Sequence, residues 1–175
     1  TLLMSAHGID SALMAGLQRA TRLAVADPPP SFENGTTHFS VVDKWGNMVS
    51  YTNTIESSHG IGVFAGYKRA DGSFRSHGFL LNNELTDFSF VPRDARGLAV
   101  ANRVQPGKRP RSSMAPTLVF DQADGQLLMS GGSPGGALII HYTAKTLWSR
   151  LHWGLNAQQA IDLPNFGSVN GPTLL

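Results

Sequence analysis

Gly35-Thr36-Thr37-His38-Phe39-Ser40-Val41-Val42-Asp43 is the stretch around which the rest of the chain is organised. Thr37 to Asp43 is rich in aromatic and β-branched residues and reads as a half-buried β-strand. The preceding Asp27-Pro28-Pro29-Pro30-Ser31-Phe32-Glu33-Asn34-Gly35 has no periodic pattern. A glycine followed by a threonine at a strand edge suits a self-cleavage point as well as a plain strand start. Gly35 leaves its carbonyl open to close approach. Thr36 brings a hydroxyl that can attack it. An opened bond leaves Thr36 with that hydroxyl and a free α-amine of pKa roughly 7.7–8.0, which serves as a general base near neutrality. Threonine activated by its own N-terminal amine is a known nucleophile arrangement. Taken alone, the stretch fits the plain strand start better, and only the rest of the chain reverses that balance.

Working outward, Asp10 to Val25 reads as a helix capped by Asp10, with Leu13, Met14, Leu17, Ala20 and Ala24 on one face. Asp27 and the prolines end it. Downstream of the key strand, Lys44-Trp45-Gly46-Asn47 is a turn signal, and Met48–Thr54 is the second arm of a hairpin. Strand pieces follow around Gly62–Phe64 and Phe79–Leu81, separated by the polar loop 68–73. Residues 89–111 read as an extended loop rich in Pro, Gly and Arg. Pro116–Phe120 and Gln126–Ser130 form another hairpin around Ala123-Asp124-Gly125. Ala137 to Trp153 reads as a helix with Ile140, Ala144, Leu147, Trp148 and Leu151 as its apolar stripe, ended by Gly154. Asn156-Ala157-Gln158-Gln159 resembles a capping box opening a short helix that Pro164 closes. The tryptophans and methionines read as core residues. Hairpins followed by helices predict an α+β architecture with a mainly antiparallel sheet.

A chain of 175 residues fits one domain with a real core. Its net charge of +2 gives no case for a nucleic-acid partner, and the only basic cluster is Arg103, Lys108, Arg109 and Arg111. It has no cysteine, so thiol nucleophiles, thiolate metal sites and disulfides are excluded within it. No apolar run approaches the roughly 20 residues of a membrane span, and the first residues do not form a signal peptide. His7, His38, His59, His77, His141 and His152 make no metal-type pair on a helix face and read as structural or exposed. The expectation is therefore no metal site.

Three further segments can carry chemistry. Gly131-Gly132-Ser133-Pro134-Gly135-Gly136, between strand and helix, offers an anion-binding nest or only a tight turn. No Lys-Ser/Thr follows, so it is not a Walker loop, and an oxyanion hole suits it better than a phosphate. Leu80 to Phe88 holds Glu84 and Asp87 three residues apart, either as convergent carboxylates for an ammonium or as a cap and a surface charge. Lys108-Arg109-Pro110-Arg111-Ser112-Ser113 combines cations with adjacent hydroxyls, either for a carboxylate or as an ordinary basic loop.

Together these motifs, with Thr-Asn-Thr-Ile-Glu at 52–56, stand in the order and spacing of the γ-glutamyltransferase family. From Thr36 to about Phe166 the chain resembles that family's small catalytic subunit. The resemblance implies an N-terminal-nucleophile hydrolase, a four-layer αββα sandwich here present in part. It implies that residues 1–35 end a large-subunit segment and that 36–175 are a small-subunit region truncated at its C-terminus. It implies self-cleavage between Gly35 and Thr36, then transfer or hydrolysis of γ-glutamyl groups of glutathione and related amides, without cofactor or metal. Thr36 matches the nucleophile and Thr54 its hydrogen-bonding threonine. Glu84 and Asp87 match the residues for the donor's α-ammonium, Ser112 and Ser113 those for its α-carboxylate, and Gly135 and Gly136 the oxyanion-hole glycines. Glu56 stands where many members carry an Asn that contacts the donor. Arg111 replaces a common Leu, and Asn165 and Gly167 interrupt the usual Pro-Arg-Phe-His. The implied partners are a small-molecule donor, an amine or water acceptor, and the large subunit. Periplasmic or secreted placement is implied likewise. A cephalosporin or glutaryl acylase of the same family, and an unprocessed homologue that binds amino acids or peptides, are the competing expectations.

Overall fold

In the computed structural model the described residues are 35–169 and 171–174. The expected Asp10–Val25 helix lies outside them. They fall into two compact units, one drawn from Pro29–Asp87 with Ser112–Leu175 and the other containing Phe88–Arg111. The first is a mixed α/β structure. Its element order is β1 (Thr36–Val42), β2 (Met48–Thr54), β3 (Phe64–Lys68), β4 (Phe74–Leu80), a 3-10 turn (Glu84–Asp87), β5 (Thr117–Phe120), β6 (Leu127–Gly131), a 3-10 turn (Gly136–Leu138), α1 (Ile139–His152) and α2 (Ala157–Asp162).

The strands pair as three separate antiparallel ribbons, β1–β2, β3–β4 and β5–β6, rather than as one sheet. In the first, Thr36 stands opposite Thr54, His38 opposite Thr52 and Ser40 opposite Ser50. The Asp43 carboxylate holds the connecting turn by accepting from the Trp45 and Asn47 amides, both at 2.9 Å. Gly46 supplies the left-handed backbone there, at φ 87°.

Side chains alternate between the faces of a strand. Thr36, His38 and Ser40 therefore share one face of β1, with Thr54, Thr52 and Ser50 beside them on β2. β6 meets this face. Ser40 Oγ lies 2.7 Å from Ser130 Oγ, and Ser50 Oγ donates to the Gly131 carbonyl at 3.1 Å. The opposite face carries Phe39, Val41, Val49 and Tyr51, all about half exposed. Phe39 and Tyr51 pack ring to ring across the pair, 5.0 Å between centroids.

The second ribbon departs from expectation. Strand pieces expected at Gly62–Phe64 and Phe79–Leu81 catch only its outer end. β3 and β4 run inward to the tight turn where the Arg69 amide donates to the Ser73 carbonyl and the Asp71 carboxylate accepts from the Ser73 amide. The alternation of β3 and β4 is blurred because both faces are largely exposed.

The helical half forms for local reasons. α2 opens on a reciprocal capping box, in which Asn156 accepts from the Gln159 amide and the Gln159 side chain accepts from the Asn156 amide. Gly154, at φ 69°, follows α1. Lys145 is buried on α1, and its ammonium donates to the carbonyls of Ile161 (3.3 Å) and Leu163 (2.9 Å). A cation on the last carbonyls of a helix is favourable, so Lys145 pins α2 to α1. Burial lowers its pKa, while the charge of Asp162 opposes that shift.

The face that α1 buries is not the apolar stripe expected of it. Ile139, Thr143, Lys145 and Ser149 are buried, whereas Ile140, Trp148 and Leu151 are half exposed. The tryptophans likewise depart from the core assignment: Trp45, Trp148 and Trp153 are all exposed.

Segment 88–111 contains no helix or extended strand, as its composition predicts. Bridges between Ser89 and Arg103 and between Arg93 and Ala99 hold it, with Phe88, Ser89 and Val100 buried. Asp94 organises its turn by accepting from the Arg96 and Leu98 amides and pairing with the Arg96 guanidinium at 2.9 Å.

Candidate active site

Thr36 is buried, 7% exposed, and its hydroxyl donates to Thr54 Oγ1 at 2.9 Å. Their cross-strand pairing makes this bond. Thr54 Oγ1 also accepts from the Glu56 amide at 2.8 Å. That second bond folds the chain back just past β2 and holds Glu56 at φ 72°, the one non-glycine residue with positive φ among those described. A non-glycine residue held there stores strain, a feature that clusters at functional sites.

Gly35 continues the β1–β2 ladder, its carbonyl accepting from the Ile55 amide at 3.2 Å. A Cβ on Gly35 would meet the backbone of residues 56 and 57, 2.6 Å from the Ser57 carbonyl oxygen. Only glycine fits this approach. The carbonyl expected to be attacked is thus both unshielded by a side chain and polarised by an amide.

The chain beyond β4 is tied to the same corner. The Asn83 amide donates to the Ile55 carbonyl at 3.2 Å, and Asn83 Oδ1 accepts from the Ser57 amide at 3.1 Å. Asn83 was not singled out in the sequence. Its place immediately before Glu84, in an Asn-Asn pair before a turn, is the signal that marks it. The following 3-10 turn carries both Glu84 and Asp87. Of the two arrangements the spacing left open, the two carboxyls stand close enough to interact. Burial raises the Glu84 pKa, and the neighbouring charge and hydrogen bond of Asp87 and the charge of Glu56 add to the rise. Glu56 thus belongs with the pair. Glu84 Oε1 is buried and has no hydrogen-bond partner among the described residues. Packing carboxylates together in this way repels them from one another and attracts a cation.

Gly135 (φ 134°) and Gly136 (φ 55°) both have backbone that side chains rarely adopt. A Cβ on Gly135 would also run into the Tyr142 ring at 2.6 Å. The Gly135 carbonyl accepts from the Leu138 amide, starting the helical turn. The two glycine amides lie at the start of that turn, Gly135 as its N-cap and Gly136 as its first residue, where N–H groups lack intrahelical acceptors. Ser112 is exposed, and its hydroxyl accepts from the Met114 amide at 3.2 Å; Ser113 is half buried. Thr36, Thr54 and Glu56 are therefore joined by hydrogen bonds, and Glu56, Glu84 and Asp87 by their charges. Ser112, Ser113, Gly135 and Gly136 lie in other segments of the same unit. Among the described residues no group of three His, Asp or Glu side chains is arranged to hold a metal ion. No described helix is long and apolar enough to cross a membrane.

A hydroxyl held by a second hydroxyl thus stands at the start of a strand, directly behind a glycine without room for a side chain. The profile of the Gamma-glutamyltranspeptidase family matches residues 13–173, and the chain belongs to that family. It is 41% identical over 140 residues to a glutathione hydrolase proenzyme of Bacillus subtilis, a match covering 80% of this chain and 21% of that protein. A Helicobacter pylori gamma-glutamyltranspeptidase structure aligns over 77% of this chain and 68% of that one, with TM-score 0.60 and 38% identity. An acivicin-inhibited gamma-glutamyltranspeptidase, described as revealing roles for its C-terminus in autoprocessing and catalysis, aligns over the same shares with TM-score 0.61 and 38% identity. The chain thus spans about a fifth of the length of the curated relative, at 21%.

Proposed function

We propose that this chain carries the catalytic region of an enzyme that transfers or hydrolyses γ-glutamyl groups, with Thr36 as nucleophile after self-cleavage at Gly35–Thr36. The observation that carries the proposal is the Thr36–Thr54 hydroxyl pair directly after a glycine that cannot accept a side chain. In the cleavage, Thr36 Oγ1 attacks the Gly35 carbonyl carbon. The hydroxyl proton passes to the Thr36 nitrogen as the C–N bond breaks, leaving an ester between Gly35 and Thr36 Oγ1. Water then hydrolyses the ester, freeing the Gly35 carboxylate and the Thr36 amine.

In turnover, the amine takes the Thr36 hydroxyl proton as Oγ1 attacks the γ-carbonyl of the donor. The developing oxyanion is held by the Gly135 and Gly136 amides. The proton goes to the departing amine, and the glutamyl ester on Thr36 is then taken by water or an acceptor amine. Glu84 and Asp87, with Glu56 beside them, bind the donor's α-ammonium. Ser112 and Ser113 bind its α-carboxylate. These steps transfer an acyl group and protons only, so no organic cofactor or metal is assigned a role.

The same reading places residues 1–35 at the end of a large-subunit segment and the rest in a small-subunit region, within an αββα sandwich. The large subunit of the same precursor is its partner, in a periplasmic or secreted setting. The half-exposed Phe39, Val41, Val49, Tyr51, Trp148 and Leu151 support a partner of that kind, because faces this apolar are ordinarily covered.

The full precursor should be purified, its intact mass followed with time, and the product assayed with γ-glutamyl and glutaryl p-nitroanilides. Expected are two fragments, the second starting at Thr36, and preference for the γ-glutamyl donor, since only it carries an α-ammonium. Equal use of both donors would favour the glutaryl acylase. A precursor that stays whole and inert would favour the binding homologue.

A further inference from the structure

One half-buried group on the Thr36 face has no part in the chemistry above. His38 lies two residues along β1 from Thr36, on the same side of the strand. Its Nδ1 is 2.9 Å from Thr52 Oγ1, its cross-strand partner. Its Nε2 is buried and has no partner among the described residues. Burial lowers the imidazole's pKa, which favours the neutral ring.

The ring is fixed, and what lies on it is Gly132. A Cβ on Gly132 would overlap the imidazole, meeting Nδ1 and Cε1 in collision and Cγ at 2.9 Å. Gly132 has no left-handed φ, unlike Gly135 and Gly136. The ring, and not the backbone, is therefore what requires a glycine there.

The contacts around Gly132 advance in one direction. Ser130 bonds Ser40, the Gly131 carbonyl bonds Ser50, and Gly132 lies on His38. Two residues forward along this segment correspond to two residues back along β1. Extended by one more step of the same kind, this trend points from His38 toward Thr36, roughly 7 Å along the strand at its usual rise. The chain reaches the Gly135–Gly136 amides just beyond.

We propose that His38 is a positioning residue for turnover: its ring, held by Thr52, sets the height at which Gly132 passes over β1 and so places the Gly135 and Gly136 amides against the oxyanion formed at Thr36. This rests on the functional reading above. The self-cleavage step does not depend on it, because there the attacked Gly35 carbonyl already accepts from Ile55.

The test uses the full precursor and three variants: Gly132→Ala, Thr52→Val, and the double variant Gly132→Ala with His38→Ala. Cleavage, melting temperature, and kcat and KM for γ-glutamyl p-nitroanilide are measured for each. Gly132→Ala should cleave normally, keep KM within about twofold and lose at least tenfold in kcat, since a misplaced oxyanion donor acts on the transition state. Thr52→Val keeps the side-chain shape but frees the ring, and should lose two- to tenfold in kcat with KM and melting temperature unchanged. Removing the ring should restore at least threefold of the kcat lost in Gly132→Ala. An active parent whose Gly132→Ala and Thr52→Val variants turn over at the parental rate overturns the positioning role alone. So does a kcat loss that only follows melting temperature, or a double variant no better than Gly132→Ala. A parent that neither cleaves nor turns over overturns both this inference and the functional reading.

Discussion

Replacing Thr54 by Val removes one oxygen and almost no volume, and that oxygen accepts two hydrogen bonds at once. The first comes at 2.9 Å from the hydroxyl of Thr36, the proposed nucleophile. The second, from the Glu56 amide at 2.8 Å, holds the strained turn past β2. A neutral hydrogen bond contributes about 1 kcal/mol net, and an amide left without an acceptor costs about 1–3 kcal/mol when buried. Glu56 is half buried, so water can reach part of its surroundings and the lower end applies. The folded precursor should lose about 1.5–3 kcal/mol, partly offset because Glu56 can relax from its left-handed backbone. Cleavage should slow about ten- to thirtyfold, equivalent to about 1.4–2 kcal/mol of misorientation in the attack. Thr54→Ser, which keeps the acceptor, should stay within about threefold. The assay is the appearance of the Thr36-terminated fragment by intact mass, with urea denaturation of the uncleavable Thr36→Ala precursor as the stability measure. In that Thr36→Ala background the hydroxyl pair is already broken, so Thr54→Val should destabilise by only about 0.5–2 kcal/mol. Cleavage of Thr54→Val within twofold of the parental rate would refute the orienting role of Thr54.

Three further outcomes follow from neighbouring contacts. Gly35→Ala pushes a methyl against the backbone of residues 56 and 57, so cleavage should slow at least tenfold while circular dichroism stays unchanged. Lys145→Met strips the carbonyls of Ile161 and Leu163 of their donor and should lower stability by about 1–3 kcal/mol in urea denaturation, with kcat little changed. Glu84 has a raised pKa in the unliganded protein, so its ionised form there is unfavourable. The resulting destabilisation is present above the raised pKa and is relieved as pH falls through it toward the ordinary 4.5. A donor ammonium needs the ionised form, so the KM for a γ-glutamyl donor should climb with falling pH before an ordinary glutamate would begin to titrate. Glu84→Gln should flatten that limb, and a KM profile equally steep in the variant would exclude Glu84 as its source.

How much of this was visible in the sequence divides along physical lines. The β1–β2 and β5–β6 hairpins were legible to within a residue because each encloses a turn with its own chemistry. The Asp43 and Asp121 carboxylates and the Gly46 and Gly125 left-handed residues fix those turns locally. The capping box of α2 was legible for the same reason. The β3–β4 ribbon was misplaced because most of its residues face solvent on both sides, and alternation carries information only where one face is buried. The α1 stripe was found as a pattern, but not the direction it faces. Periodicity shows which side chains share a side, and the side buried within this chain is the one carrying Thr143, Lys145 and Ser149. The spacing of Glu84 and Asp87 left convergence and a cap with a surface charge both open, and the 3-10 turn that carries both brings the charge of Asp87 onto Glu84. Glu56 came to the same donor site only through the family resemblance, and its charge acts on Glu84; the positive φ at Glu56 is what the sequence does not advertise for a glutamate.

The parity of β1 ties these points together. Its even-numbered residues, Thr36, His38 and Ser40, meet hydroxyls on β2 and the incoming chain of β6, while its odd-numbered Phe39 and Val41 take the other face. A slip of one residue in the β1–β2 register would exchange the faces. Thr36 would then lose Thr54, His38 would lose both Thr52 and its place beneath Gly132, and apolar rings would stand where the hydroxyls now meet β6. The Asp43 turn resists that slip at one end, where its carboxylate accepts from both Trp45 and Asn47. Gly35 resists it at the other, since any residue moved into its place would carry a Cβ into the backbone of residues 56 and 57. A catalytic hydroxyl at the first residue of a strand has no chain ahead of it to hold its register once the bond at Gly35 is cut. The Asp43 turn is then the nearer fixed point in sequence. Asp43→Ala, a change distant from the chemistry, should therefore affect turnover by the cleaved protein more than the cleavage itself. Equal loss in both steps would show that register is held elsewhere.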